Sequence, residues 1–519
     1  MNSKSLFKTL VFGFILFLIV FGSSCRKDFD FKMATNGLEF SKDTVFLDTV
    51  FTNIGSSTYT LKVYNQEDED VLIPFIGLEK GEESNYRLNV DGLAGKTFND
   101  IPLLAKDSLF IFIETTFDIT TVGETEFLYT DAIQFQTGGN TQQVELITLV
   151  RDAIFLYPQR LPNGMKESIV LGEDLDGNEI RVEGFYLDDD ELSFTREKPY
   201  VIYGYATAKS GNTLTFDAGT RVFFHKNSGI LIEENAQLFI NGALSEDQEV
   251  LENAVIFEGD RLQPEFAEVP GQWGTIWLLP GSTGHQIEHL ILKNATVGLL
   301  VDGTENDDTP TLTLNNSQLF NSSNSNLWAR TANINATNTV LGNAGSASFY
   351  ANLGGQYDFK HCTIANYWTN GFRSFPALLI DNFILFQDGS SIASDLVKAN
   401  FSNCIIDGNK NLELLLVNNE INAFNFAFLN CSIQFNDINN DFVDNPFYDF
   451  SDTNFYENSV QNIMTKFIDA RNNRFQLNED SEAIDRGNIG VANQVPIDLQ
   501  GNSRTASPDL GAYEFILQN

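Results

Sequence analysis

The sequence predicts an all-β protein in two parts, a β-sandwich followed by a solenoid of stacked parallel strands. Three observations carry the prediction. Apolar and polar residues alternate in short runs from Leu38 to Ala153. From Lys198 onward, strands of four to six residues are each followed at once by Gly, Asn or Asp, which leaves no room for a helix. A short Asn-flanked motif then recurs every 21 to 27 residues. The chain has 519 residues, 42% of them hydrophobic and 20% charged, enough to bury large cores in more than one domain. Its 32 basic against 70 acidic residues give a net charge of −38, which excludes a nucleic-acid binder that works by neutralising phosphates.

At the N-terminus, Lys4 and Lys8 precede an apolar run from Leu10 to Phe21 that closes on Gly22-Ser-Ser-Cys25. The run is too short for a spanning helix and has the layout of a cleaved export signal. It resembles a bacterial lipoprotein signal, which implies removal of residues 1–24 and lipid attachment at Cys25. The run Arg26-Lys-Asp-Phe-Asp30 resembles the charged tether of outer-membrane lipoproteins of the Bacteroidetes that face the cell exterior, so 25–37 reads as a lipidated tether. Cleavage removes two lysines and no acid, leaving a charge of −40. An anionic membrane surface repels such a body, so acyl chains rather than charge must hold it there. Cysteines occur only at 25, 362, 404 and 431, too few for a disulfide framework.

Residues 38–153 hold about seven alternating strands, among them Thr44–Phe51, Thr58–Tyr64 and Ser108–Glu114, with turn signals at Asn53-Ile-Gly55 and Asp91-Gly92. That density of strands is what a β-sandwich requires. Their order resembles immunoglobulin-like domains related to those of spindle and cilium proteins, which implies a spacer or binding module without chemistry of its own. Residues 154–197 read as an acidic connector. Within it Glu173-Asp-Leu-Asp-Gly-Asn178 has the acidic text of a calcium loop, yet Glu179 stands where that loop needs glycine, and a hairpin turn explains the run more cheaply.

Residues 198–470 read as the solenoid. The motif appears as His289-Leu-Ile-Leu-Lys-Asn294, Asn316-Ser-Gln-Leu-Phe-Asn321, Asn338-Thr-Val-Leu-Gly-Asn343, His361-Cys-Thr-Ile-Ala-Asn366, Asn382-Phe-Ile-Leu-Phe386, Asn403-Cys-Ile-Ile-Asp407 and Asn430-Cys-Ser-Ile-Gln-Phe-Asn436. One motif per coil gives roughly 10 to 13 coils. Side chains two apart on a strand share a face, so Cys362, Cys404 and Cys431 fall in one inward column with Ile364, Ile406 and Ile433. The flanking Asn residues suit left-handed turns and hydrogen-bond to their equivalents above and below. Propeller blades run to about twice this period. The runs from Lys198 to Gly242, with Gly271-Gln-Trp-Gly-Thr-Ile-Trp277, resemble the opening coils of right-handed, single-stranded parallel β-helix proteins of the pectate-lyase-like type. Stacked coils leave open ends that need covers. Residues 471–519 resemble the terminal motif of exported bacterial β-helix proteins and read as a C-terminal cap, in which Asp485, Arg504 and Asp509 would make an ion-paired clasp.

The resemblance implies acidic-polysaccharide binding or cleavage in a groove. Cleavage needs either a base with calcium ligands or clustered aspartates, and neither the paired-aspartate and Gly-His-Gly motifs of the hydrolases nor the Arg-x-Pro-x-x-Arg of the lyases is present. Arg330, Lys360, His361 and Arg373 are the groove candidates, with His361 and His289 holding ladder positions elsewhere taken by Asn. Asp302, Glu305, Asp307 and Asp308 share a turn that offers calcium ligands, although a solvated loop is the simpler reading. Trp273, Trp277, Trp328 and Trp368 either stack on sugars or fill the core. No other cofactor and no catalytic residue is predicted. The sequence thus points first to a non-catalytic binding or scaffold protein on the bacterial surface that contacts glycan or another surface component. A divergent polysaccharide lyase or glycoside hydrolase is the alternative.

Overall fold

The computed structural model describes residues 31–34, 37–121, 126–174, 176–305, 309–386 and 388–517. The expected signal, Cys25 and the charged run after it lie outside these residues, as do Asp307 and Asp308. The chain divides into two compact units, Met1–Arg151 and Asp152–Asn519. Both are built of strands, and the one α-helix among the described residues is the single turn Ile489–Ala492.

In the first unit two sheets enclose one apolar core. Strands Lys32–Met33, Thr44–Phe51, Val71–Leu78, Thr97–Leu103, Glu126–Thr137 and Asn140–Arg151 form one sheet. Glu39–Phe40, Tyr59–Tyr64, Tyr86–Val90, Leu93–Gly95 and Ser108–Thr115 form the other. Alternation places every second residue inside, for example Leu61 and Val63, or Leu109, Ile111 and Ile113. Asp91-Gly92 makes the predicted two-residue turn, both residues at positive φ, between strands paired Val90 to Leu93. The expected boundary near 153 falls within two residues of the break.

In the second unit, successive strands are dealt in turn to three long sheets. Sheet I has 11 strands, from Ile154–Leu156 to Val460–Gln461; sheet II has 10, from Ser168–Glu173 to Leu414–Val417; sheet III has 10, from Ser193–Phe194 to Tyr456–Glu457. All neighbours within them are parallel except the hairpin of Ser168–Glu173 with Glu179–Tyr186. Residues 154–197 are therefore not a connector. They supply the first strand or strands of each of the three sheets, and these strands escaped notice because two are only two or three residues long and the other two form a hairpin about the acidic turn. Asp174 organises the hairpin turn, its Oδ1 accepting from the N–H groups of Asp176 at 2.9 Å and Asn178 at 2.8 Å.

Register confirms the cysteine column. Ile364, Ile406 and Ile433 are aligned partners, and the sulfurs two residues before them are fully buried in the same core as free thiols. The N–H of Cys362 reaches Cys404 Sγ at 3.5 Å. Burial pushes the thiols of Cys362 and Cys431 up, so they act as small core fillers. The corner between sheets III and I is turned by His289, Asn316, Asn338, His361, Asn403 and Asn430, all with φ between 47° and 53°. Asn tolerates this left-handed conformation better than most residues. One repeat was misread. Asn382-Phe-Ile-Leu-Phe386 is not a coil of its own: Phe383–Leu385 pairs antiparallel with Ser391–Ala393 in a hairpin inserted between sheets II and III, and Thr363 pairs directly with Ile405.

The C-terminal segment is not an end cap. Phe475 stacks on Phe320 with ring centroids 6.1 Å apart, and Leu477 and Leu510 pack on Ile405, so the segment lies along the outer face of sheet I. Gly342 makes room for it, since a Cβ there would stand 2.2 Å from the Phe475 ring. The space between the last strands of the sheets is filled instead by a knot of aromatic rings from Phe424 to Tyr456, such as Phe428 on Tyr456 at 5.5 Å and Phe450 on Tyr456 at 4.3 Å. The clasp also differs from expectation. Arg504, fully buried, pairs with Glu514 at 2.6 Å and donates to Asn338 Oδ1 at 2.9 Å, while Asp509 accepts the N–H of Asp485.

Candidate functional site

The outer faces of the three sheets differ in chemistry. Sheet I is covered by the C-terminal segment over its middle coils. Sheet III presents a hydrophilic ladder in which Asn315 donates to Glu288 at 2.7 Å and Thr337 donates to Asn315 at 2.8 Å. Sheet II presents large side chains. Its register aligns Trp277, Leu300, Trp328, Tyr350, Leu379 and Leu415 in one outward file. Two residues on, and therefore on the same face, Asp302, Arg330, Asn352 and Asp381 form a second file beside it.

These two files are bonded into one surface. The Arg330 guanidinium sits 5.9 Å from the Trp277 ring centroid and 5.8 Å from that of Trp328, filling the rung that Leu300 leaves between them. Arg330 also chelates Asp302, and the indole N–H of Trp277 donates to Asp302 Oδ2 at 2.7 Å. Trp328 stacks on Tyr350 at 5.6 Å. Tyr350 donates to Asp381 Oδ2 at 2.7 Å, and Asn352 donates to its Oδ1 at 2.7 Å. Burial pushes the Asp381 carboxyl up and, with the nearby Asp381 charge, the Tyr350 hydroxyl. The indole N–H of Trp328 is shielded and has no partner among the described residues. The turns that follow these strands line a cleft of about 130 Å³ at the corner with sheet III, edged by Glu305, Thr331, Gln356, Ser394, Asp395 and Asn422.

Of the predicted groove residues only Arg330 belongs to this surface. Lys360 lies on sheet III, 3.7 Å from Asp358. His361 is fully buried at its corner, with Nε2 2.9 Å from Asn403 Nδ2, and burial holds its imidazole down to about 2. Arg373 is buried in a bidentate pair with Glu413, at 2.6 and 2.8 Å, and ties down the loop that carries it. The four do not form one groove. Trp273 is core, stacked on Phe224 at 4.3 Å, and Trp368 is buried, whereas Trp277 and Trp328 stand on the outer face of sheet II. The acidic turn at 302–308 loses its Asp302 to Arg330. Among the described residues no group of three or more His, Cys, Asp or Glu side chains could hold a metal ion.

The surface is poorly arranged for acid–base hydrolysis. Asp302 and Asp381 are three rungs apart through Arg330 and Asn352, about 14 Å at the strand spacing, beyond the ~5–9.5 Å that paired glycosidase carboxylates span. Both carboxylates also have their oxygens committed to neighbouring donors.

No protein-family model matches the sequence, and no curated protein matches it. Among the solved structures that share local likeness are the following three. A family 123 glycoside hydrolase from Clostridium perfringens aligns over 23% of this chain and 30% of its own, at 8% identity and a TM-score of 0.16. The periplasmic chaperone SfaE aligns over 22% and 58%, at 16% identity and 0.16. PapD-like domain 7 of human CEP192 aligns over 25% and 94%, at 10% identity and 0.15. The chain thus spans less than two thirds of the first two. Likeness at these scores carries no argument about fold or function.

Proposed function

We propose that the protein is a surface-anchored, non-catalytic binding lipoprotein. Lipid at Cys25 would hold it to the outer membrane, an immunoglobulin-like domain would act as spacer, and a right-handed parallel β-helix of the pectate-lyase-like type would present sheet II to a glycan. One observation carries the reading: the file of Trp277, Trp328 and Tyr350, with the Arg330 guanidinium reaching in between the two indoles, runs along the stacking axis beside a cleft edged with hydroxyl, amide and carboxylate groups. Aromatic edges with fixed polar groups suit sugars, whose carbon faces and hydroxyls need both. The net charge of −38 favours a neutral glycan over a free polyuronate.

The test is a glycan panel offered to the mature protein with and without calcium, while absorbance of unsaturated product is followed in the ultraviolet. Retention of a glycan without product growth is expected, and Trp328→Ala should weaken it at least about tenfold. Product growth would establish the enzyme instead. Fatty-acid labelling of wild type but not of Cys25→Ala is expected for the anchor, and equal labelling would refute it.

A further inference from the structure

A second cavity, of about 250 Å³, lies on the outer face of sheet I, where the C-terminal segment meets the loops around Leu251 and Glu268. It shares no residue with the sheet II surface and is independent of the reading above. Its floor is apolar: Phe320 and Tyr513, both largely buried, with Ile291 and Leu499. Its walls are amides. Gln318 accepts the Tyr513 hydroxyl at 2.9 Å. Gln476 Oε1 is buried with no partner among the described residues, and Gln500 also lines the cavity. An unpaired buried amide oxygen is costly in a folded protein unless a water or a ligand meets it.

The one cation among the lining residues is already paired. Lys293 is held by Glu258 at 2.8 Å, and Glu268 accepts from Asn473 at 2.8 Å. No cation is left over to attract an anion, and Glu268, whose Asn473 partner is a neutral donor, keeps a negative charge that repels one. Amides both donate and accept, as sugar hydroxyls do. We propose that this cavity binds a single neutral sugar ring, its carbon face on Phe320 and its hydroxyls on Gln476, Gln500 and Gln318.

The test is ligand-observed saturation-transfer NMR on the full chain, with the methyl glycosides of glucose, galactose and mannose, N-acetylglucosamine, and glucuronate as the charged control. At least one neutral sugar should bind and glucuronate should not. Gln476→Ala with Gln500→Ala should weaken that binding by about tenfold or more, at an unchanged circular dichroism spectrum. Trp328→Ala should leave it intact. Binding by none of the neutral sugars, preference for glucuronate, or survival of the signal in the double variant would overturn the proposal. Loss of the signal with Trp328→Ala would overturn it too, by moving the sugar to the other face.

Discussion

Asp407 shows how burial and pH meet in this protein. Its side chain stands on the outer side of sheet I, accepting from Tyr367 and from the N–H of Gly408 at 2.7 Å, and burial pushes the carboxyl up to about 7. A carboxyl raised above its unfolded value of about 3.9 costs nothing while protonated in both states. Its stability is lost as pH climbs through the folded value. Asp407→Asn should therefore match wild type in unfolding free energy from urea titration near pH 4 and exceed it by roughly 2–4 kcal/mol above pH 7; a difference that does not change with pH would contradict this. His285 has the opposite sign. It accepts the Leu238 N–H at 3.0 Å inside the core, and burial holds its imidazole down to about 4. Stability from keeping it neutral is full above the unfolded value of about 6.5 and is lost as pH falls toward 4. His285→Asn should flatten the acid limb of the urea midpoint over that window, and an unaltered limb would contradict it.

At the scale of elements, stability rests on the corner ladder and the C-terminal segment. Asn403 combines φ of 53° with side-chain bonds to His361 and to the backbone of Asn488. Asn403→Ala should cost roughly 2–4 kcal/mol by denaturant titration, from left-handed strain and orphaned partners. Ending the chain after residue 462 should uncover Phe320, Val340, Ala365 and Ile405, giving strong dye binding or insolubility. The cysteine column and the Asn and His corners were legible because strand periodicity and left-handed propensity are local. The hairpin at 383–393 was not, since Asn382-Phe-Ile-Leu matches the repeat at the right spacing and only pairing tells them apart. The segment's place was hidden too, because Phe475 and Gly342 declare their contact only in three dimensions. For the outer face of sheet II, Arg330 and the tryptophans were visible, but their common face depends on which of three sheets each strand joins. Asp381 and Tyr350 carried no motif, and the sheet I cavity joins residues of two repeats, such as Ile291 and Phe320, to the terminal segment, a meeting that neither motif announces.

Among the described residues each unit has its own large apolar core, one from Ala34 to Val150 and one from Leu156 to Tyr456, and two smaller clusters join the C-terminal segment to sheet I. Calorimetry should accordingly resolve two unfolding transitions, and a single two-state transition would contradict independent cores. The functional account depends on where a glycan lies along the second unit. Hydrogen exchange of the full chain, with and without the glycan it retains, measures that directly. Added protection should fall on Ile276–Leu278, Leu299–Asp302, Leu327–Arg330 and Phe349–Asn352. Protection confined to sheet III or to the first unit, or none with any glycan, would contradict the assignment of sheet II as the binding face.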